Sequence, residues 1–212
     1  MPSPRPEAQF ATLEQQTETA QLGMWVFLAT EVLFFGALIF SYYVYRISYP
    51  DQFVLAGHDT KLLLGSINTA ILVTSSLTMV AAIELVKGNE PSRAATLLLV
   101  TALLGLAFVG VKGYEYFEDY RDHTVPVLSF ILKPGERPAA ELFWMFYFVA
   151  TGIHVLHLSI GIVAVLIYAL HTRRGRYSAA YYSPLEVLGL YWSFVDTVWL
   201  FLFAAIYPIG RA

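Results

Sequence analysis

The chain has 212 residues, of which 57% are hydrophobic and only 14% charged, with a mean hydropathy of +0.58 and a formal net charge of −3. An average soluble domain carries roughly 25% charged residues, so this composition excludes a soluble enzyme, a disordered chain and a nucleic-acid binder with a basic footprint. No cysteine is present, which removes disulfides, iron–sulfur clusters, thiolate zinc sites and a cysteine-ligated copper centre together.

In chain order, residues 1–19 read as a polar tail holding Pro2, Pro4, Pro6, Arg5, Glu7, Glu14 and Glu18. They show no basic start, short apolar core and small-residue cleavage site of a secretory signal, and are expected to be mobile or to lie on a surface. The remainder, 20–212, reads as one all-α membrane domain. A helix crosses a hydrocarbon core of about 30 Å with about 20 apolar residues. Five segments meet that length, at about 20–45, 62–86, 94–118, 140–171 and 185–209. The first carries one charge, Glu31, and the last carries Asp196. The fourth holds His154 and His157 within its apolar stretch.

The connections at 46–61 and 116–140 read as the long loops, and 84–93 as a tight turn around Gly88, Asn89 and Pro91. Five spans put the termini on opposite sides. One side collects Arg5, Lys87, Arg93, Arg173, Arg174 and Arg176; the other collects Arg46, Lys61, Arg121, Lys133, Arg137 and Arg211, with Lys112 near the border. The denser set, with its tight 173–176 cluster, is expected on the cytoplasmic side and to meet anionic lipid. The N-terminus is then cytoplasmic and the C-terminus lies outside.

A carboxylate at mid-bilayer costs on the order of 2.5–3.5 kcal/mol by insertion scales and has to face the bundle. Glu31, His154, His157 and Asp196 all lie near the middle of their spans, at similar depth. On the fourth span Thr151, His154, His157 or Leu158, and Gly161 follow one face. The second span offers Ser66, Asn68, Thr69, Thr74, Ser75, Ser76 and Thr78 as hydroxyl or amide partners for Glu31. Glu31 itself admits three readings: a packing carboxyl, a proton-relay group, or a site for a lipid head group or partner subunit. The histidines read most simply as hydrogen-bonded to Glu31, Asp196 or a backbone carbonyl. Both sit on one helix three residues apart, which does not suit bis-histidine haem, and no metal site is expected. Trp25, Trp144, Trp192 and Trp199 read as lipid-interface or packing residues, and Tyr114, Tyr116 and Tyr120 as an interfacial belt.

These residues also resemble a family. Residues 23–35, Gly-Met-Trp-Val-Phe-Leu-Ala-Thr-Glu-Val-Leu-Phe-Phe, are similar to the G-M-x-x-F-x-x-[ST]-E-x-x-F-F stretch of subunit III of haem–copper oxidases. Asn68-Thr69 with Ser75, Ser76 and Thr78 resembles its second motif, and Tyr114-Glu115-Tyr116 its third. Residues 148–157 match F-x-x-T-G-x-H-x-x-H, and 191–199 match Y-W-x-F-V-D-x-V-W. The chain departs at Ser193, where the family usually has His, and at Val155, where it usually has Gly.

The resemblance implies a five-helix bacterial subunit without a redox centre of its own. Such a subunit packs on the catalytic subunit I beside subunit II, with small subunits or a larger respiratory supercomplex as further partners. It binds phospholipid, supports proton uptake and resides in the inner membrane; haem and copper belong to the partners. Glu31 matches the family's carbodiimide-reactive glutamate, and His154, His157, Glu115 and Asp196 its other intramembrane polar positions. Two rivals stay open: the companion subunit of nitric oxide reductase, and an independent proton-linked transporter or channel.

Overall fold

A computed structural model describes residues 8–132 and 138–209. Among them are six helices: α1 Leu13–Ser48, α2 Pro50–His58, α3 Leu62–Lys87, α4 Pro91–Arg121, α5 Ala139–Arg173 and α6 Ser183–Ile206. All but α2 are long and apolar enough to span a membrane.

Local chemistry sets the boundaries. Proline occupies one of the first two positions of α2, α4 and α6, where its fixed φ suits a helix and its missing N–H costs nothing. The α1 helix begins at Leu13, earlier than apolarity alone suggests. Thr12 caps it by accepting from the Gln15 N–H at 3.1 Å, and Gln15 Oε1 accepts from the Ala11 N–H at 3.0 Å. The Thr12 cap, with Gln15 reaching back to the residue before it, starts a helix among polar residues, so part of the expected tail is helical.

Three spans end alike. At α3 the Glu90 N–H reaches Leu85 O at 2.8 Å and Asn89 reaches Val86 O at 3.0 Å, with Asn89 at φ 60. At α4 the Thr124 N–H reaches Asp119 O at 3.1 Å and His123 reaches Tyr120 O at 3.3 Å, with His123 at φ 57. At α5 the Arg176 N–H reaches His171 O at 3.1 Å and Gly175 reaches Thr172 O at 2.9 Å, with Gly175 at φ 72. Each is a Schellman closure, which satisfies orphan carbonyls and reverses the chain.

The 46–61 connection, expected as a loop, contains α2. Its Phe53 and Ala56 are fully buried, and Phe53 packs edge-on to Phe143 of α5 with ring centroids 5.7 Å apart. The segment is too short to span, so its apolar residues gave no membrane signal; packing on α5 and Pro50 at its start make it a helix.

Neighbour relations close α3, α4, α5 and α6 into a ring, while α1 leans on α5 and α6 from outside. Burial follows: 50% of the apolar stretch of α6 is buried, against 11% for α1. Small residues let the helices approach. A Cβ on Gly105 would stand 2.8 Å from Ile162 Cγ1 and 3.1 Å from Trp192 Cη2, and one on Gly161 3.2 Å from Tyr191 Cε1 and 3.3 Å from the Trp192 ring, so Trp192, with Ile162 and Tyr191, fills the space the two glycines leave. The Lys61–Asp122 ion pair at 2.9 Å ties the start of α3 to the end of α4; that carboxylate holds the Lys61 ammonium above its ordinary pKa. At the other end Lys87 pairs with Glu84 at 2.9 Å and Glu186 at 3.1 Å. Lys87, Arg93, Arg173, Arg174 and Arg176 share this end of the bundle, opposite Arg46, Lys61 and Arg121. Arg5, Lys133, Arg137 and Arg211 lie outside the described residues.

Candidate functional site

Among the described residues the mid-span histidines and carboxylates and the buried Lys112 fall into four sites rather than one cluster. The first joins α1 to α5. His157 Nδ1 lies 2.9 Å from Ile153 O, and its Nε2 lies 3.1 Å from Glu31 Oε2. A carbonyl only accepts, so Nδ1 carries a proton. Nε2 and Oε2 therefore share the remaining chemistry: either imidazolium faces carboxylate, or the neutral ring faces a protonated carboxyl. The contact is within ion-pair distance without the alignment of a full hydrogen bond. Both side chains keep some exposure, 18% for His157 and 17% for Glu31. Phe35 packs edge-on to the ring at 5.3 Å, and Tyr191 donates to His157 O at 2.8 Å.

His154, one turn earlier, behaves differently. Thr151, His154, Leu158 and Gly161 form the buried stripe of α5, and His157 sits beside it. The His154 ring is fully buried between Phe108, at 5.4 Å, and Trp199, at 5.2 Å. Neither ring nitrogen has a hydrogen-bond partner among the described residues. The expectation of a satisfied interior histidine thus holds for His157 and fails for His154, whose neighbours on α4 and α6 are aromatic.

Asp196 meets neither histidine. Its Oδ2 accepts from the Ser76 hydroxyl of α3, while Oδ1 has no partner among the described residues. The α3 hydroxyls do not answer Glu31, because α3 packs chiefly on α4 and α6. Ser76, Ser75 and Thr69 answer α6 instead, and Thr78 meets Thr101 of α4. Trp192 Nε1 donates to Ser75 Oγ and Trp199 Nε1 to Thr69 Oγ1, each at 3.0 Å. Both indoles are fully buried, so Trp192 and Trp199 are core residues and not the lipid-facing candidates their type suggests. Indole at a given depth does not say which way it faces; the glycines opposite do. Ser193, where a histidine would be expected, is exposed in a groove of ≈ 700 Å³ between α1 and α6, lined also by Trp25, Leu28, Val32 and Phe194. The substitution therefore falls on the outer face of α6.

The fourth site centres on Lys112, which depth alone placed near the membrane border. It is 1% exposed, as is Glu115. Lys112 Nζ donates to Glu115 Oε2 at 2.9 Å, Tyr207 Oη at 2.8 Å and Tyr147 Oη at 3.2 Å. Tyr207 in turn donates to Glu115 Oε1 at 2.6 Å. The ammonium also stands 5.3 Å from the Trp199 ring centroid. Buried ions persist when paired and fully hydrogen-bonded, and here three donors of an ammonium meet three oxygens. Lys112 and Glu115 are three residues apart on one helix face, which is the signal in the sequence that could have joined them. Asp119, one turn on, is also buried.

The Arg cluster stays on the surface: Arg173, Arg174 and Arg176 are all exposed around the α5 closure. Beside them Tyr177 is buried and stacks on Tyr168 at 5.6 Å; burial pushes its phenol up to about 12. Tyr114 and Tyr120 are exposed as an interfacial belt requires, whereas Tyr116 turns inward and shares a hydrogen bond with the Thr151 hydroxyl at 2.6 Å.

The family model for cytochrome c oxidase subunit III matches residues 9–211. Cytochrome c oxidase subunit 3 of Thermostichus vulcanus is 31% identical over 191 residues, covering 90% of this chain and 87% of its own. Probable quinol oxidase subunit 3 of Staphylococcus aureus strain USA300 is 30% identical over 207 residues, covering 94% of both chains. Its counterpart in Staphylococcus epidermidis is 31% identical over 206 residues with the same coverage.

Proposed function

The chain belongs to the cytochrome c oxidase subunit III family, and on that footing we propose that it is the accessory subunit of a bacterial haem–copper terminal oxidase. It packs on the catalytic subunit, stabilises it, binds phospholipid and supports proton uptake. It binds no haem or copper itself. The reading places it in the inner membrane with the exposed Arg173, Arg174 and Arg176 at the cytoplasmic face.

The observation that carries this reading is how the buried polar groups are used. Ser76 with Asp196, the two indoles with Ser75 and Thr69, and Lys112 with Glu115 and Tyr207 each fasten one helix to another. Such a bundle is a rigid body suited to support. Glu31 stands apart, on the outermost helix and with the most open of the mid-span carboxylates. That position suits a proton or a lipid head group exchanged with the surroundings. The names of the relatives favour an oxidase partner over a nitric oxide reductase.

The test is extraction of the tagged chain from its native membrane in mild detergent, with identification of what accompanies it and a reduced-minus-oxidised visible spectrum. A copurifying large subunit with an a-type or o-type haem signal is expected. A colourless chain that purifies alone and transports protons in vesicles would replace this reading with the transporter.

A further inference from the structure

The loop after α4 has a composition that neither the bundle nor the family reading uses. Residues 124–132, Thr-Val-Pro-Val-Leu-Ser-Phe-Ile-Leu, contain no ionisable side chain. Four of its five aliphatic residues point outward: Val127 is 88% exposed, Leu128 78%, Ile131 58% and Leu132 46%. An exposed loop normally meets water through polar residues, and contiguous exposed apolar groups mark a surface that something else covers.

The loop's position argues for what covers it. The 31 residues of α4 make a rod of about 46 Å, close to the about 40–45 Å of a bilayer with its head groups. The exposed Tyr114, Phe117 and Tyr120 line the last turns before Arg121, as interfacial aromatics do. The Schellman closure at His123 then turns the chain back at head-group level, and the Ile131 N–H binds His123 O at 2.9 Å, so the loop leaves and returns at the end of α4. Within it Ser129 reaches Val125 O at 3.1 Å and Leu128 reaches Pro126 O at 2.7 Å. Val127 is held at φ 66, a conformation that a β-branched side chain disfavours, so the surrounding closures impose the shape of the tip.

Two kinds of cover are conceivable, and composition separates them. Protein interfaces concentrate their binding energy in Trp, Tyr and Arg, with Leu and Val under-represented. Binding to a lipid surface scales with apolar area and needs no matched partner groups. The exposed residues here are aliphatic, and the loop closes much of its own backbone bonding. We infer that the 124–132 loop is a monotopic membrane anchor, dipping Val127, Leu128, Ile131 and Leu132 into the head-group and upper acyl region of the leaflet beside α4. It would fix the depth and tilt of α4 independently of any partner subunit.

The chain's lack of cysteine makes the test direct. Leu128→Cys is introduced, labelled with a nitrobenzoxadiazole fluorophore in the native complex and reconstituted in phosphatidylcholine–phosphatidylglycerol nanodiscs. The unsubstituted complex gives the background, and Ser92→Cys at the opposite end serves as a water-exposed control. The anchor predicts blue-shifted emission at position 128, quenched severalfold more by lipid spin-labelled near the head group than by aqueous iodide, with the reverse at position 92. Strong iodide quenching at position 128 would overturn the inference in favour of a loop in water. Blue-shifted emission that neither quencher reaches would overturn it in favour of a protein partner. Val127→Cys, on the neighbouring and still more exposed side chain, repeats the measurement should labelling at position 128 disturb the complex.

Discussion

Lys112 places an amine where water does not reach, and its neighbours decide whether that is tolerable. Removing one member of a buried ion pair strands the other and costs about 3–5 kcal/mol, whereas replacing both with apolar groups is often close to neutral. Lys112→Met is therefore expected to lower the thermal midpoint of the purified complex sharply. Lys112→Met with Glu115→Leu together should recover most of the loss, although the orphaned Tyr207 hydroxyl keeps part of it. Exposure ranks the carboxyls in the opposite sense. Glu31 has a 17% exposed side chain, against 1% for Glu115, while Asp196 as a residue is 6% exposed. A membrane-soluble carbodiimide should label Glu31 first, and peptide mass spectrometry of the treated complex reads this directly. At this scale the sequence was informative about depth and poor about direction. The mid-span positions of Glu31, His154, His157 and Asp196 were legible from counting. Their partners were not, because neighbouring residues on a helix point to different helices: His157 meets Glu31, while His154 three residues earlier meets Phe108 and Trp199.

Among the elements, glycine placement distinguishes faces that packing uses from faces it leaves open. A Cβ on Gly65 would lie 2.8 Å from Tyr207 Cε1, on a ring already held by Lys112 and Glu115. Overpacking of this kind costs about 1–3 kcal/mol, and Gly65→Ala should also loosen the Lys112 site through Tyr207. A Cβ on Gly110 meets nothing within 4 Å, so Gly110→Ala should leave the chain's own fold unchanged or slightly firmer through helix propensity. Fluorescence-detected size exclusion of the two variants after a graded heat step compares them. The five long helices were readable from apolar length, since the bilayer itself sets that length. The short α2 was not, because its helicity comes from Phe53 and Ala56 packing on α5 and from Pro50 at its start. Of the three reversing turns, Asn89 and Gly175 announce themselves by residue type, whereas His123 in the left-handed region is visible only in the structure.

Among the described residues the five long helices form a closed ring of four with α1 leaning on it and the short α2 packed on α5, and ring and α1 differ in how much of themselves they bury. The ring is fastened by side-chain bonds between helices. The α1 helix contributes Glu31 to His157, and Tyr42 donates to Ala205 O at 3.0 Å, yet most of its apolar surface faces outward. The family assignment was legible because its motifs recur in order along nearly the whole chain, which no single span could have shown. How the motif residues divide into separate sites follows from helix neighbours, and those are set by packing between segments distant in sequence. In the proposed role this chain supports an oxidase without taking part in its redox chemistry. The most direct measurement is to delete the chain from its native membrane, purify the remaining complex, and record its reduced-minus-oxidised haem spectrum and its oxygen consumption over successive turnovers. The proposed role predicts a haem spectrum of unchanged shape and intensity per catalytic subunit, with oxygen consumption that starts near normal and decays faster than in the intact complex. Loss of a haem band in proportion to the missing chain would contradict it.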